Sequence, residues 1–469
     1  MTIGEFASDV TSRLPYRPNA QQEALIGALA RFCAARPGGD VFILNGYAGT
    51  GKTSLTGALV RSLVAARRPV VLLAPTGRAA KVLSAQAGMP AFTIHRKIYR
   101  GGGGDWSSGF RALQHNTLDG AVYVVDEASM IGDTEGDSLL ADLVEYVFTA
   151  DNSRLLLLGD VAQLPPVGTD RSPALVADSY KRLGLRVSRA MLTDTARQTA
   201  DSGILFNATW LRRAMLSTPL PKPHIFLNDM PDLALTDGND IADVVGDCYR
   251  RDGVDQTILI TRSNRRAREF NLGIRTRIFE YEEELLRGER LLVAKNNYMW
   301  AAATDGLDFI ANGDVGIVAA IHSTEEKYGF RFADITLHLP DKDVDVECKI
   351  ILDTLTDDGA SLSAESIARL AEARMYDPDL HAPDDRYETR LGRLRRDKYF
   401  NALQVKYAYA VTCHKAQGAQ WRNVVVDLGG IPPESQGLEF YRWLYTATTR
   451  ATVRLYYLNG EEFVSGSGD

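Results

Sequence analysis

The apolar run VFILN, Val41 to Asn45, leads directly into GYAGTGKTS, Gly46 to Ser54, and then into the helical pattern LTGALVRSLVAA. Gly46, Gly51, Lys52 and Thr53 stand in the spacing GxxxxGK[ST]. This strand–turn–helix unit constrains the fold more than any other feature. Glycines let successive backbone N–H groups face an anion, and the helix N-terminus adds its positive end. Lys52 is placed to reach the β- and γ-phosphates of a nucleotide, and Thr53 to offer its hydroxyl to Mg²⁺. Gly49, Thr50 and Ser54 complete the cradle. A ligand seat of this kind sits at the carboxyl end of a parallel strand, which implies an α/β sheet with ATP as cofactor.

The pattern then repeats. VVLLAP precedes TGRAAKVLSAQAG, AVYVVDE precedes ASMIGDTEGDSLLADLVEYV, and RLLLLGD precedes VAQLPPV. Continuous apolar strands alternating with helices imply a parallel sheet covered on both faces. All four runs end in polar or turn residues: Asn45-Gly46, Pro75-Thr76, Asp126-Glu127 and Gly159-Asp160. One site at these strand ends is the expectation.

The 469 residues exceed what one core usually supports, so several domains are expected. No apolar run reaches the length of a membrane-spanning helix. The first ten residues, MTIGEFASDV, lack a basic segment followed by an apolar core, which points to a cytoplasmic address and no membrane. Cys33, Cys248, Cys348 and Cys413 form no CxxC pair, so reduced thiols are expected rather than disulfides or structural zinc. The formal net charge of -7 argues against a polyelectrolyte-binding surface over the whole molecule, but leaves room for a local basic groove.

After Leu185 the character changes. QTILITRSNRRAREFNLGIRTRIF reads again as strand then helix, and NVVVDLGG and RLYYLNG as late strands, together a second α/β unit. It is interrupted from about Gly288 to Tyr399, where NGDVGIVAAI, FRFADITLHL and DVDVECKIIL read as a β-rich insertion. Between the second and third strands of the first unit lies YRGGGGDWSSGF, Tyr99 to Phe110, a glycine-rich loop or hairpin tip.

The chemistry-bearing residues follow from the strand ends. Asp126 is placed to hold Mg²⁺, and Glu127 to orient or activate an attacking water. The Gln163 amide, in GDVAQLPPV, can donate to a γ-phosphate and accept from water. Arg197, in LTDTARQT, and Arg450, in YTATTRAT, are candidates for stabilising charge on a transferring phosphoryl group.

In this order the motifs resemble those of superfamily 1 DNA helicases of the RecD/Dda-like branch. NAQQEA is similar to the adenine-reading glutamine motif, with Gln22 the better fit and Gln21 the other candidate. APTGRAAKVLS and TIHR are similar to two strand-holding motifs, LTDTARQ to one with an arginine sensor, VTCHKAQGAQWRNVVVD to one coupling DNA to nucleotide, and LYTATTRA to the last. The resemblance runs from about residue 19 to 452.

What the resemblance implies is an α/β chain of two RecA-like parallel-sheet domains with ATP between them. The first comprises residues 1–96 and 113–190, with a small pin insertion at 97–112; the second comprises 191–314 and 400–469, with a β-rich, SH3-like insertion at 315–399. Thr76, Thr93, His95, Thr412 and His414 are the implied nucleic-acid contacts, through phosphates rather than bases. Phe92, Trp106, Tyr298 and Trp421 are candidates for stacking on bases, and Arg393, Arg395, Arg396 and Lys398 for touching phosphates. Trp106 or Phe110 would tip the pin, if the glycine segment is more than a surface loop. The implied activity is ATP-driven 5′→3′ translocation on single-stranded DNA with duplex unwinding. The implied partners are single-stranded DNA, ss/ds junctions and a single-strand-binding or replication/repair factor, with the protein as a monomer. An RNA-directed enzyme of the same superfamily and an ATP-gated single-strand clamp remain the alternatives.

Overall fold

The computed structural model describes residues 2–34, 40–99, 112–134, 137–194, 202–227, 230–304, 307 and 309–464. Arg197, Trp106 and Phe110 lie outside these residues.

The first unit is built on strands β1 (Asp40–Gly46), β2 (Val70–Ala74), β3 (Ala91–Thr93), β4 (Val122–Val125), β7 (Arg154–Gly159) and β8 (Arg186–Leu192). Two-residue strands β5 (Asp133–Thr134) and β6 (Asp137–Ser138) pair only with each other. The six-stranded sheet runs β3-β2-β4-β7-β1-β8 and is parallel throughout. Strand β1 lies between β7 and the edge strand β8, and both of its faces are covered: Phe42 and Leu44 pack under the helices Ile3–Ser12, Ala20–Ala34 and Lys52–Ala65, and Val41 and Ile43 under Leu139–Thr149. Two-sided burial is the reason these strands read as unbroken apolar runs.

The second unit is a five-stranded parallel sheet. Its order is β16 (Ala410–Thr412), β10 (Thr257–Thr261), β17 (Trp421–Asp427), β18 (Ala451–Leu458) and β9 (Leu233–Thr236). The β-rich insertion is a closed barrel of β11 (Arg290–Val293), β12 (Val315–Lys327), β13 (Phe330–Leu339), β14 (Val344–Ile351) and β15 (Leu403–Tyr407). The barrel therefore draws in strands on both sides of 315–399. Pairing of β11 with β15 closes it, and that contact joins segments more than a hundred residues apart. The helices Ala364–Met375 and Tyr387–Leu394 form an arm between β14 and β15. Arg374 anchors the arm by gripping Asp397 with Nε at 3.0 Å and Nη2 at 2.5 Å.

In the first unit, residues 100–111 fall outside the described region, but the base of that insertion is described. Tyr99 and Leu113 form an antiparallel bridge, and Gln114 N–H donates to the Ile98 carbonyl at 2.7 Å. Among the described residues no helix is long and apolar enough to cross a membrane.

A buried ion pair fastens the barrel to the second sheet. Arg275, on the helix Asn264–Arg277, meets Glu289 with Nε–Oε1 and Nη2–Oε2 both at 3.0 Å. The two side chains are 5% and 0% exposed. Tyr409 donates to Glu289 Oε1 at 2.9 Å, so the carboxylate has a third partner. Removing one member of such a pair strands a buried charge, at a cost of about 3–5 kcal/mol, whereas replacing both by apolar groups is far milder. Arg275→Met should therefore lower the melting temperature by several degrees, and Arg275→Met with Glu289→Leu should recover most of that loss. Thermal unfolding followed by tryptophan fluorescence decides it; an unchanged midpoint in the single variant would show the pair to be dispensable.

Candidate active site at the join of the two sheets

The loop after β1 is held in a conformation that only its sequence allows. Gly49 and Gly51 have φ of 76° and 83°, in the left-handed region that favours glycine. A Cβ at Gly51 would lie 2.5 Å from Tyr16 Oη and 2.7 Å from Gln22 Nε2. A Cβ at Gly46 would lie 2.8 Å from the Lys52 chain. Lys52 and Thr53 open the helix Lys52–Ala65, with Ser54 in its first turn. Lys52 Nζ donates to the carbonyls of Gly46 and, at 2.9 Å, Tyr47. Thr50 is fully buried and its hydroxyl donates to the Tyr47 carbonyl at 2.8 Å. These residues fit a nucleotide triphosphate: a compact loop, a lysine lying along it, and no room for side chains at its glycines.

Gln22 supports this loop from behind. It forms a reciprocal cap with Asn19, each backbone N–H donating to the other's side-chain oxygen at 2.9 and 3.1 Å. Its Nε2 donates to the Thr50 carbonyl at 3.0 Å. Gln22 is 1% exposed, and its amide braces the phosphate loop. Neighbouring Gln21 instead accepts from the N–H groups of Thr193 and Asp194 at 2.9 and 3.1 Å.

Asp126 and Glu127 follow β4. Glu127 has φ 51°, a left-handed conformation that costs energy for a residue with a side chain and clusters at functional sites. Asp126 Oδ1 accepts the Glu127 N–H at 2.8 Å, which fixes the turn. Burial pushes both carboxyls above the usual range. The neighbouring Asp126 charge raises Glu127 further, while Arg450 and Lys52 oppose the rise. Residues from both units therefore act on the same carboxylate. Gln163 is 7% exposed with Oε1 buried and without a protein partner.

The second unit reaches this site through the helix Leu438–Thr448. Tyr445 donates to Asp160 Oδ2 at 2.7 Å and accepts from the Ala48 N–H at 2.8 Å. Burial and the adjacent Asp160 raise the Tyr445 phenol well above its ordinary range, so it is a firm donor. Beside it, the Leu164 N–H donates to Thr446 Oγ1 at 2.8 Å and Gln417 Nε2 to the Leu164 carbonyl at 2.7 Å. Arg450 is 3% exposed and held by the carbonyls of Thr446 and Ala419 at 3.0 and 3.1 Å, and by Thr449 Oγ1 at 3.0 Å. Five donors are available on a guanidinium, so these contacts aim Arg450 without exhausting it. Tyr445 was not among the expected site residues, and Asp160 was expected only as one of the converging strand ends, without a role of its own. What sequence lacks is any sign that they meet.

The expected nucleic-acid residues occupy strand ends of both sheets. Thr76 and Thr93 cap short helices, accepting from the N–H groups of Ala79 and Arg96, each at 3.2 Å. Helix N-termini of this kind present N–H groups to phosphate. His95 packs against Tyr99 and Phe309, with ring centroids 5.7 and 6.4 Å away, and Tyr298 stacks on Phe309 at 5.5 Å. Thr412 precedes the turn Cys413–Ala416, which carries His414, and its hydroxyl makes no cap bond. In the same HKAQG segment Gly418 has φ 71°, and a Cβ there would meet Ala79 Cβ at 3.2 Å and Thr76 Oγ1 at 3.4 Å. The strand-end motifs of the two units thus abut. Trp421 is buried under Arg78, 4.2 Å from its ring centroid, which makes it an inter-unit contact rather than an open platform. Arg96 and Lys97 lie over Phe92 at 5.5 and 5.9 Å, and Arg393 is paired with Asp385.

Fold and site define a phosphate-loop protein whose nucleotide seat is completed by a second α/β unit. Residues 18–214 match the AAA domain family, and residues 407–458 match the UvrD-like helicase C-terminal domain. The ATP-dependent RecD2 DNA helicase of Deinococcus radiodurans is 37% identical over 171 residues, 36% of this chain and 21% of that protein. The ATP-dependent DNA helicase dda of Enterobacteria phage T4 is 25% identical over 267 residues, 53% of this chain and 55% of that protein. The matches thus span from a fifth to about half the length of these two relatives. A crystal structure of Pif1 helicase from Bacteroides in complex with ADP-AlF3 and ssDNA is similar at 15% identity with TM-score 0.46, covering 94% of this chain and 92% of that one. The AAA domain match falls chiefly on the first α/β unit, and the UvrD-like helicase C-terminal match on the second.

If Gln22 braces the loop rather than reading a base, Gln22→Leu should weaken ATP and GTP binding to the same degree, by about tenfold or more. Fluorescence titration with labelled ATP and GTP measures both. A loss confined to ATP would restore the base-reading role.

Proposed function

We propose that this chain is a DNA motor: it hydrolyses ATP in the cleft between its two α/β units, moves 5′→3′ along single-stranded DNA, and unwinds duplex DNA at ss/ds junctions. The observation that carries the reading is the shared site. Lys52, Asp126, Glu127 and Gln163 come from one unit and Arg450 from the other, and Tyr445 joins them. A nucleotide bound there senses the spacing of the units, and the strand-end motifs that meet at Gly418 sense it too. Nucleotide state and grip on a strand become two readings of one geometry. Polarity and the choice of DNA rest on the resemblance to the RecD2 and dda DNA helicases.

In this reading the loop amides and Lys52 bind the triphosphate. The Thr53 hydroxyl and the Asp126 carboxylate would hold Mg²⁺, which supplies charge neutralisation on the phosphates. Glu127 orients the attacking water, and its raised affinity for a proton suits it to accept one. Gln163 bridges that water and the γ-phosphate. Arg450 stabilises charge on the transferring group, with Arg197 as its companion from the segment at 195–201. Thr76, Thr93, His95, Thr412 and His414 face the strand. The four cysteines are free and buried, which agrees with a reducing cytoplasmic setting. A monomer working beside a single-strand-binding or replication/repair factor completes the reading.

Steady-state ATP hydrolysis with single-stranded DNA, with matched RNA and with neither tests it. Strong stimulation by DNA is expected. Preferential stimulation by RNA would move the substrate, and equal rates in all three would remove the strand altogether. Lys52→Ala should abolish stimulated hydrolysis while single-strand binding persists. Arg450→Ala should slow hydrolysis by about 10³-fold with little loss of ATP affinity; a pure affinity loss would remove its role in the transferring step.

A further inference from the structure

Behind the phosphate loop lies a cavity of about 580 Å³. None of Lys52, Thr53, Asp126 or Glu127 lines it, so it is separate from the triphosphate seat. It adjoins that seat through Asn45, Tyr47, Asp160 and Gln163. Tyr47 is the partition. Its carbonyl faces Lys52 Nζ, while its ring lies 4.5 Å from the Arg212 guanidinium in the cavity wall.

The wall carries polar atoms that the protein leaves unmatched. Arg212 Nη1, Gln163 Oε1, Ser129 Oγ and Asn45 Oδ1 are all buried without a hydrogen-bond partner. Arg212 is 9% exposed, Gln163 7% and Ser129 3%. A buried donor or acceptor without a partner costs about 1–3 kcal/mol, more when charged, so four around one cavity call for a polar occupant. The charge decides its sign. Arg442 and Arg171 join Arg212 in the wall, and burial together with Arg171 pushes the Arg442 guanidinium down. Of the carboxylates in the wall, Asp160 is already engaged by Tyr445 and the Ala162 N–H, and Asp178 by Lys181. Asp170 lies beside Arg442, whose Nη1 donates to the Asp170 carbonyl at 2.8 Å, so Arg212 is the guanidinium left with an unmatched buried N–H. Crowded guanidiniums with an unmatched buried N–H call for an oxyanion. The Ser129 hydroxyl can donate to the anion, while Gln163 Oε1 and Asn45 Oδ1 can accept from the O–H of a monoprotonated phosphate.

We infer that this cavity is a second binding site, for inorganic phosphate, with Arg212 as its principal ligand. The inference rests on the motor reading for the origin of that phosphate. Cleavage next to Gln163 releases the ion on the opposite side of Tyr47, one side chain from Arg212. The cavity then holds the product after it has left Lys52 and before it reaches solvent.

The test uses the full chain loaded with a non-hydrolysable ATP analogue carrying all three phosphates, so that the γ-phosphate position is filled. Inorganic phosphate is added, and the broadening of its ³¹P resonance reports binding. Broadening is expected in the wild type, and should fall by about tenfold or more in apparent affinity in Arg212→Met. Arg442→Met should show a smaller loss, and serves if Arg212→Met fails to fold by circular dichroism. No broadening in the wild type, or equal broadening in the wild type and the folded variants, would overturn the site. ATP hydrolysis is measured on the same samples. Absent hydrolysis with intact phosphate binding would count against the motor and not the cavity; normal hydrolysis without phosphate binding would count against the cavity alone.

Discussion

One hydroxyl group ties the structure to its chemistry. Tyr445 stands on a helix of the second unit, yet both of its hydrogen bonds are to the first: one to the phosphate-loop N–H of Ala48, the other to Asp160 at the end of β7. Tyr445 and Asp160 are buried and Ala48 is half-buried, and in such surroundings a lost partner costs more than in water. The contact therefore sets how far apart the two sheets sit at the nucleotide. It also places Arg450, five residues further along the same chain segment, within electrostatic reach of Glu127. In the proposed reading, neither unit alone has a complete site.

The surroundings of that contact are rigid on the first unit's side. Gln22, Tyr16 and Thr50 fix the loop, and Gly51 permits their approach. The strained backbone at Glu127 is held by its hydrogen bond to Asp126. On the second unit's side, Arg450 is fixed by three contacts within its own domain. Two pre-organised halves joined by a few hydrogen bonds make a bistable element, whose spacing a ligand can bias. The barrel follows the second half, because the buried pair of Arg275 and Glu289 fastens it there.

Much of this was legible in the sequence, for local reasons. Strands β1, β2, β4 and β7 could be read because burial on both faces makes them continuously apolar. Lys52, Thr53, Asp126 and Glu127 could be read because each lies within a few residues of the strand that positions it. Strand β3 escaped notice because it is three residues long, and β8 because it is an edge strand carrying Arg186 and Arg189. Strands β11 and β15 are short, and only their pairing across the intervening barrel strands makes them a closure. The Tyr445–Asp160 bond spans 285 positions, a separation that no spacing rule detects. The contact of Gln22 with the loop had a local signal in the Asn19-x-x-Gln22 capping pattern, which fixes the side chain near Thr50. Arg197 and the glycine-rich tip lie outside the described residues.

The central claim is that the nucleotide and the strand act on the same inter-unit geometry. Its most direct test is the affinity of the full chain for a fluorescent single-stranded oligonucleotide, measured by anisotropy with and without a non-hydrolysable ATP analogue. Linkage requires that a change in strand affinity be matched by an equal change in nucleotide affinity when the strand is present. A reciprocal shift of about 5–150-fold, the usual range of such couplings, is expected. Affinities independent of each other would mean that the join at Tyr445 transmits nothing, and would contradict it.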